Sequence, residues 1–225
     1  FISIYLFSLI MRLVGYMSIL LIVNIVVFIL QMILGNTFTQ KFILIPDLIA
    51  SQPWMFVTYM FFHADLVHLL FNMFGLYMFG SLVERRIGSN KFLFLYLGAG
   101  IVAAIVGFFV YSSALGASAA VVAVVAAGIM FFPYAQILFW GIIPMKMWQF
   151  GLLFVAIEVY SSVLVSNNVG NFAHLIGFAI GLGFAYYYKD FFEKGKITSM
   201  NPLKKSESIE IMDGSQYQNY VKKRK

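Results

Sequence analysis

Residues 63–82 read HADLVHLLFNMFGLYMFGSL, and from Leu66 to Leu82 the run holds no charge. A bilayer-spanning helix takes about 17–25 predominantly apolar residues, so this run is long enough to cross. Yet it contains His68 and Asn72, four residues apart and therefore on one helical face, with His63 just ahead of them. Polar side chains within a span are costly unless paired or wetted, so they mark function by default.

The same kind of run recurs along the chain. We read six spans, at 16–34, 66–82, 92–111, 117–132, 148–165 and 172–188. The 225 residues are 62% hydrophobic and 11% charged, against roughly 45–50% and about 25% in soluble domains. That excludes a soluble globular protein and a disordered chain. With no cysteine there is no disulfide scaffold, thiolate metal site or cysteine nucleophile. Long continuous apolar runs also exclude an outer-membrane barrel, whose strands alternate. The expected fold class is all-α, a polytopic six-helix membrane bundle. The fourth span is short, which is tolerable where protein surrounds it.

Residues 1–15 form an apolar N-terminal segment that lies along the interface or extends the first helix. It lacks the charged n-region and small-residue cleavage site of a signal peptide. Residues 16–188 form the membrane domain. Its long first connection, 35–65, belongs in the interface, anchored by aromatics such as Trp54 and Tyr59. Residues 189–225 form a basic cytoplasmic tail, expected to be disordered. With both termini inside, Lys41 is the one outer cation among the 15 Lys and Arg, as the positive-inside rule requires. Cations so placed suit an anionic lipid surface, and no nucleic-acid partner is expected.

In this topology the even-numbered spans run inward from the outer face. His68, Asn72, Ser118 and His174 then lie near the outer ends of three helices, within roughly 10 Å of depth. Each has a plainer role: a serine bonding its own i−4 carbonyl, or a histidine or asparagine joining two helices. Their common level points instead to a shared cavity open to the outer water. Such a set supports acyl transfer, with His174 taking the Ser118 proton and passing it to the leaving amine. No acidic residue lies near the outer ends of the fourth or sixth spans, so the expected unit is a dyad whose imidazole is oriented by packing. His68, Asn72 and the Ser118 N–H are candidate oxyanion donors. Glu158, in the fifth span, is assigned only a bond to a neighbouring helix. A transporter using His174, Glu158 and His68 as a proton relay is disfavoured, because the chain lacks two similar halves. There is no H-E-x-x-H, so neither metal nor cofactor is expected. Gly177 and Gly181 form a small face below His174 that lets the alanine-rich fourth span (Ala119, Ala123, Ala126, Ala127) approach closely.

Four elements in this order, His63-x4-His68-x3-Asn72, Glu84-Arg85-Arg86-Ile87-Gly88, Gly116-Ala117-Ser118-Ala119 and His174-x2-Gly177-x3-Gly181, resemble those of the rhomboid family of intramembrane serine proteases. The resemblance covers most of the chain, from about Tyr16 to Tyr188. It implies Ser118 as nucleophile, His174 as base, and His68 and Asn72 at the oxyanion site. His63, Gly116, Gly177 and Gly181 have supporting roles. It also implies a six-helix bundle in the cell membrane, its site opening to the outer face, that cleaves in or near transmembrane segments of other membrane proteins. Substrate would reach the site past Ile157 and Tyr160, with loop 166–171 as a lid. The alternative is an inactive rhomboid-like chaperone or quality-control protein; the presence of both Ser118 and His174 favours the protease. Three positions depart from the family pattern. Ala119 replaces a glycine and crowds the turn, Val122 stands where an aromatic often stacks on the imidazole, and Met55 replaces an arginine and loosens the first loop.

Overall fold

The computed structural model of the chain describes residues 2–139, 142–164 and 169–199, with side chains described over 15–139, 142–161 and 170–189. Every long apolar run is helical. The long helices are α1 (Ile2–Thr39), α3 (Leu66–Ile87), α4 (Ser89–Val110), α5 (Ser118–Phe131), α6 (Met147–Leu164) and α7 (Val169–Ser199), with the short α2 (Met55–Thr58) in the first connection. The chain divides into two units, Phe1–Tyr188 and Lys189–Lys225, and the bundle belongs to the first. Residues 200–225 of the basic tail lie outside the described residues.

Among the described residues, three helices are long and apolar enough to cross a membrane: Gly15–Thr39, Leu66–Ile87 and Ser89–Val110. Ser118–Phe131 and Met147–Ser161 are apolar but shorter. The outward faces are greasy, as lipid requires: Ile29, Met32 and Ile33 on α1, Phe71 and Phe74 on α3, and Phe94 and Phe109 on α4 are all exposed. By contrast α5 is buried on every side from Ala119 to Ile129, packed among α3, α4 and α6. A helix apolar all round belongs in a core, which explains why this one can be short.

Gly15 breaks α1 with φ 72, so residues 2–14 form a helix set off from the span that follows. The break frees backbone N–H groups at a new helix start. Glu84, near the end of α3, accepts from Tyr16 N at 2.7 Å and Met17 N at 3.0 Å. A β-carbon on Gly15 would meet Glu84 Oε2 at 2.9 Å. A carboxylate at a helix N-terminus satisfies orphan donors and complements the dipole. Glu84→Ala is therefore expected to lower stability by about 3 kcal/mol, read as a fall in the unfolding midpoint in detergent, with Glu84→Gln retaining part of it.

The first connection packs onto the bundle. Tyr59 donates its hydroxyl to Gly100 O at 2.8 Å, and Met60, fully buried, has its thioether against Gly100. Leu44 pairs with Ala114 by two 2.9 Å backbone bonds. Met55 is also fully buried. An apolar side chain is what that place holds.

The expectation of an all-α chain needs one correction. Between α5 and α6 the chain forms an antiparallel hairpin, β1 (Gln136–Phe139) with β2 (Ile143–Lys146), pairing Gln136 with Lys146 and Phe139 with Ile143. The stretch is too short and too interrupted by Gly141 and Pro144 for a helix, while its Ile, Leu and Phe side chains suit a two-stranded ladder.

Candidate active site

Three helices present their N-terminal ends to one place. Asp65 caps α3, its Oδ1 accepting from His68 N at 2.8 Å, which sets His68 in the first turn. Gly116 has φ +123, and a β-carbon there would lie 2.7 Å from His68 Cε1 and 2.9 Å from Nε2. Only glycine lets the backbone ahead of Ser118 lie against the imidazole. Gly116 N also donates to Tyr59 O at 3.1 Å, so the first connection holds this approach. Ser118 is then the first residue of α5, with no side-chain cap on that helix. Its earliest N–H groups are those that a helix leaves without intrahelical partners.

Glycines set α5 against α7. A β-carbon on Gly177 would collide with Ala119 O and come within 3.1 Å of Ala119 Cα. One on Gly181 would collide with Ala123 O and come within 2.8 Å of Ala123 Cα. Both contacts step four residues on each helix, so α5 and α7 run parallel in one register. His174, three residues before Gly177, thereby stands beside the start of α5 and Ser118. Likewise Gly75 meets Val121 and Gly128 meets Phe79, so α3 runs parallel to α5. His68 lies within electrostatic reach of His174, and Gly116, two residues before Ser118, lies against the His68 ring. Among the described residues the Ser118 hydroxyl makes no hydrogen bond, to His174 included.

Asn72 is buried and donates from Nδ2 to His68 O at 3.0 Å, which uses one amide hydrogen and leaves the second for a ligand. Ala64 N points at His68 Nδ1 at 3.5 Å, an arrangement that puts the donor hydrogen on Nε2, the atom facing Gly116. His63 is fully buried behind this ring, edge to face at 5.1 Å and 70°. Its backbone is clamped by Gln31, which donates to His63 O at 2.7 Å and accepts from His63 N at 3.1 Å. Burial, reinforced by His68, pushes the His63 imidazole down to about 4, with the Phe61 backbone and then Asp65 acting the other way.

Neither His63 ring nitrogen has a hydrogen-bond partner among the described residues, so the ring is held neutral. The unfolded chain titrates this group at about 6.5 and binds the proton more readily than the folded one. Stability is therefore whole above about pH 6.5 and falls as pH drops toward about 4, by about 3 kcal/mol. His63→Phe should flatten that acid limb in unfolding measurements in detergent.

Sequence reasoning passed over two polar side chains, Asn24 and Gln31, and gave a third a bond to a neighbouring helix without naming its partner. Asn24, buried in α1, donates to Leu20 O at 2.7 Å and to Tyr96 Oη at 3.4 Å. Gln31 is the clamp on His63. The third is Glu158, whose Oε1 lies 2.9 Å from His174 Nδ1. Its fate corrects an expectation: the imidazole does have a carboxylate, and it comes from α6. The signal was available, because a lone carboxylate within an apolar run is as costly as a lone histidine.

Ile157 and Tyr160 on α6 are exposed. Of the loop 166–171, residues 166–168 lie outside the described residues. No cluster of potential metal ligands occurs among the described residues.

Residues 50–191 match the family model described as the Rhomboid domain. The chain is 31% identical over 134 residues to rhomboid protease GlpG of Haemophilus influenzae, covering 59% of this chain and 68% of that protein. It is 38% identical over 101 residues to rhomboid protease GluP of Bacillus subtilis, covering 42% of this chain and 20% of that one. With rhomboid protein 1, mitochondrial, of Saccharomyces cerevisiae it shares 27% identity over 166 residues, 70% of this chain and 48% of that one. The chain thus spans about two thirds of the first relative and less than half of the other two. The matched segment carries both histidines of α3's entrance, Ser118 and the glycine-spaced face of α7, and with its apolar helices it makes this chain a membrane protein of the rhomboid family.

Proposed function

We propose that this protein is an intramembrane serine protease that hydrolyses peptide bonds in or near transmembrane segments of membrane proteins. The observation that carries the reading is the glycine-mediated contact of α5 with α7, which brings Ser118 and His174 to one level beside His68. In the reaction Ser118 Oγ bonds to the scissile carbonyl carbon as its proton passes to His174 Nε2. The carbonyl electron pair moves onto oxygen. That oxyanion forms at the uncapped start of α5, where the Ser118 N–H, His68 Nε2–H and the second Asn72 amide hydrogen are the available donors. The imidazolium then protonates the leaving amine as the C–N bond breaks, and water releases the acyl group by the same steps in reverse.

The bundle is read as six spans with both termini inside, in the cell membrane, its site opening to the outer face. The parallel run of α3, α5 and α7, with the site at their shared N-terminal ends, supports this. A substrate helix hides its carbonyls and must unwind before attack, so glycine or proline near the cut favours cleavage, and the exposed side of α6 at Ile157 and Tyr160 is the path of approach. The test uses the whole chain in detergent with a model transmembrane substrate and a serine-directed phosphonate. Wild type should cut and become labelled, whereas Ser118→Ala should do neither. Cutting by wild type and Ser118→Ala alike would overturn the reading, and binding without cutting by wild type would leave a helix-binding protein.

A further inference from the structure

We propose that Glu158 is the positioning residue of this site: its carboxylate accepts the Nδ1–H of His174 and so holds the Nε2 lone pair toward Ser118. The inference rests on the reading of Ser118 and His174 as nucleophile and base. Three observations converge on it. The Oε1 to Nδ1 distance is 2.9 Å, with both side chains mostly buried, at 12% and 24% exposure. In that setting a carboxylate–imidazole bond is strong and directional.

The register that makes the bond is built in. Phe154 stacks on Phe178 at 5.6 Å and 19°, one turn from Glu158 and from His174, so α6 and α7 are antiparallel with these two residues level. The bond is also fixed from the backbone side, since buried Asn171 donates from Nδ2 to Glu158 O at 3.3 Å.

The imidazole needs one tautomer and one orientation to act as a base, and a hydrogen bond to the far nitrogen sets both. When Ser118 Oγ–H breaks and the proton arrives at Nε2, the imidazolium carries its other proton at Nδ1 against the Glu158 carboxylate. No proton moves to Glu158; the ion pair lasts until Nε2 gives its proton to the leaving amine. His174 faces Glu158 from α6 and His68 from α3. Of the two, only the carboxylate stabilises the charged ring.

The experiment compares wild type, Ser118→Ala, Glu158→Gln and Glu158→Asp as full-length protein in detergent. An amide at position 158 keeps the size but loses the charge, and it can turn its NH₂ toward Nδ1, which forces the proton onto Nε2. Glu158→Gln should lower kcat about 10²-fold with KM within about twofold, and slow phosphonate labelling of Ser118 in parallel. Glu158→Asp should recover part of the rate. A readout independent of turnover is the histidine tautomer, by ¹⁵N spectroscopy of histidine-labelled protein with His174→Ala for assignment. His174 should carry its proton on Nδ1 in wild type and on Nε2 in Glu158→Gln. Wild-type kcat in Glu158→Gln, or an Nε2-protonated His174 in wild type, would overturn the inference while leaving the protease reading intact. A wild type that does not cut would overturn both.

Discussion

Ser118→Ala and His174→Ala are each expected to reduce kcat on a transmembrane substrate by about 10⁴-fold or more, with the double variant falling no further, if the proposed protease reaction is the right one. The reason is that a serine hydroxyl is a weak nucleophile until a base takes its proton, so either loss removes the same step. What remains is stabilisation of the oxyanion and binding. On the proposed reading these belong to other groups: the start of α5, His68 Nε2 and Asn72. KM should hardly change in any of the three, because neither side chain is needed to bind a helix. Steady-state kinetics in detergent, together with phosphonate labelling, check this. If the two single losses multiply in the double variant, the serine and the imidazole do not act as one unit.

The second large effect belongs to a residue with no chemistry of its own. Gly177→Val should lower kcat by about 10²-fold or more and stability by about 3 kcal/mol. Even a methyl at Gly177 collides with the Ala119 carbonyl oxygen. That oxygen is main chain in a helix buried on every side, so it cannot turn aside as a flexible side chain does. The helix axes must part, at an overpacking cost of about 1–3 kcal/mol, occasionally more. A displacement of about 1 Å between base and nucleophile is enough to cost about 10²-fold in rate. Gly183 on the same helix has nothing within 4 Å of its would-be β-carbon. Gly183→Val controls for helix propensity and should leave kcat unchanged. Loss of rate in both variants would place the effect in α7 itself rather than in its contact with α5.

The expectations of an all-α chain and of a histidine oriented by packing alone failed for the same reason. The fourth and sixth spans were searched for a carboxylate at the level of His174, and they hold none. Glu158 reaches that level from the fifth span because α6 runs antiparallel to α7 and the Phe154–Phe178 stack sets the register. Similarly, residues 136–146 fall between the fourth and fifth apolar runs and carry no spanning pattern of their own. Their pairing into a hairpin depends on two short segments meeting around a turn. Asn24 and Gln31 were visible as amides in an apolar run, but their partners, Tyr96 and His63, lie far away in sequence.

Hydrophobic run length alone dictated the helices and the bilayer as solvent, because backbone polar groups in lipid must be satisfied within the segment. The polar residues that broke those runs marked the site for a similar reason: each is too costly in lipid to be kept without a use. Distances between helices were beyond such reading. Whether Gly177 meets a carbonyl, or Glu158 an imidazole, depends on helix register and rotation. Those are settled by side-chain packing among residues distant in the chain, and no local pattern encodes them.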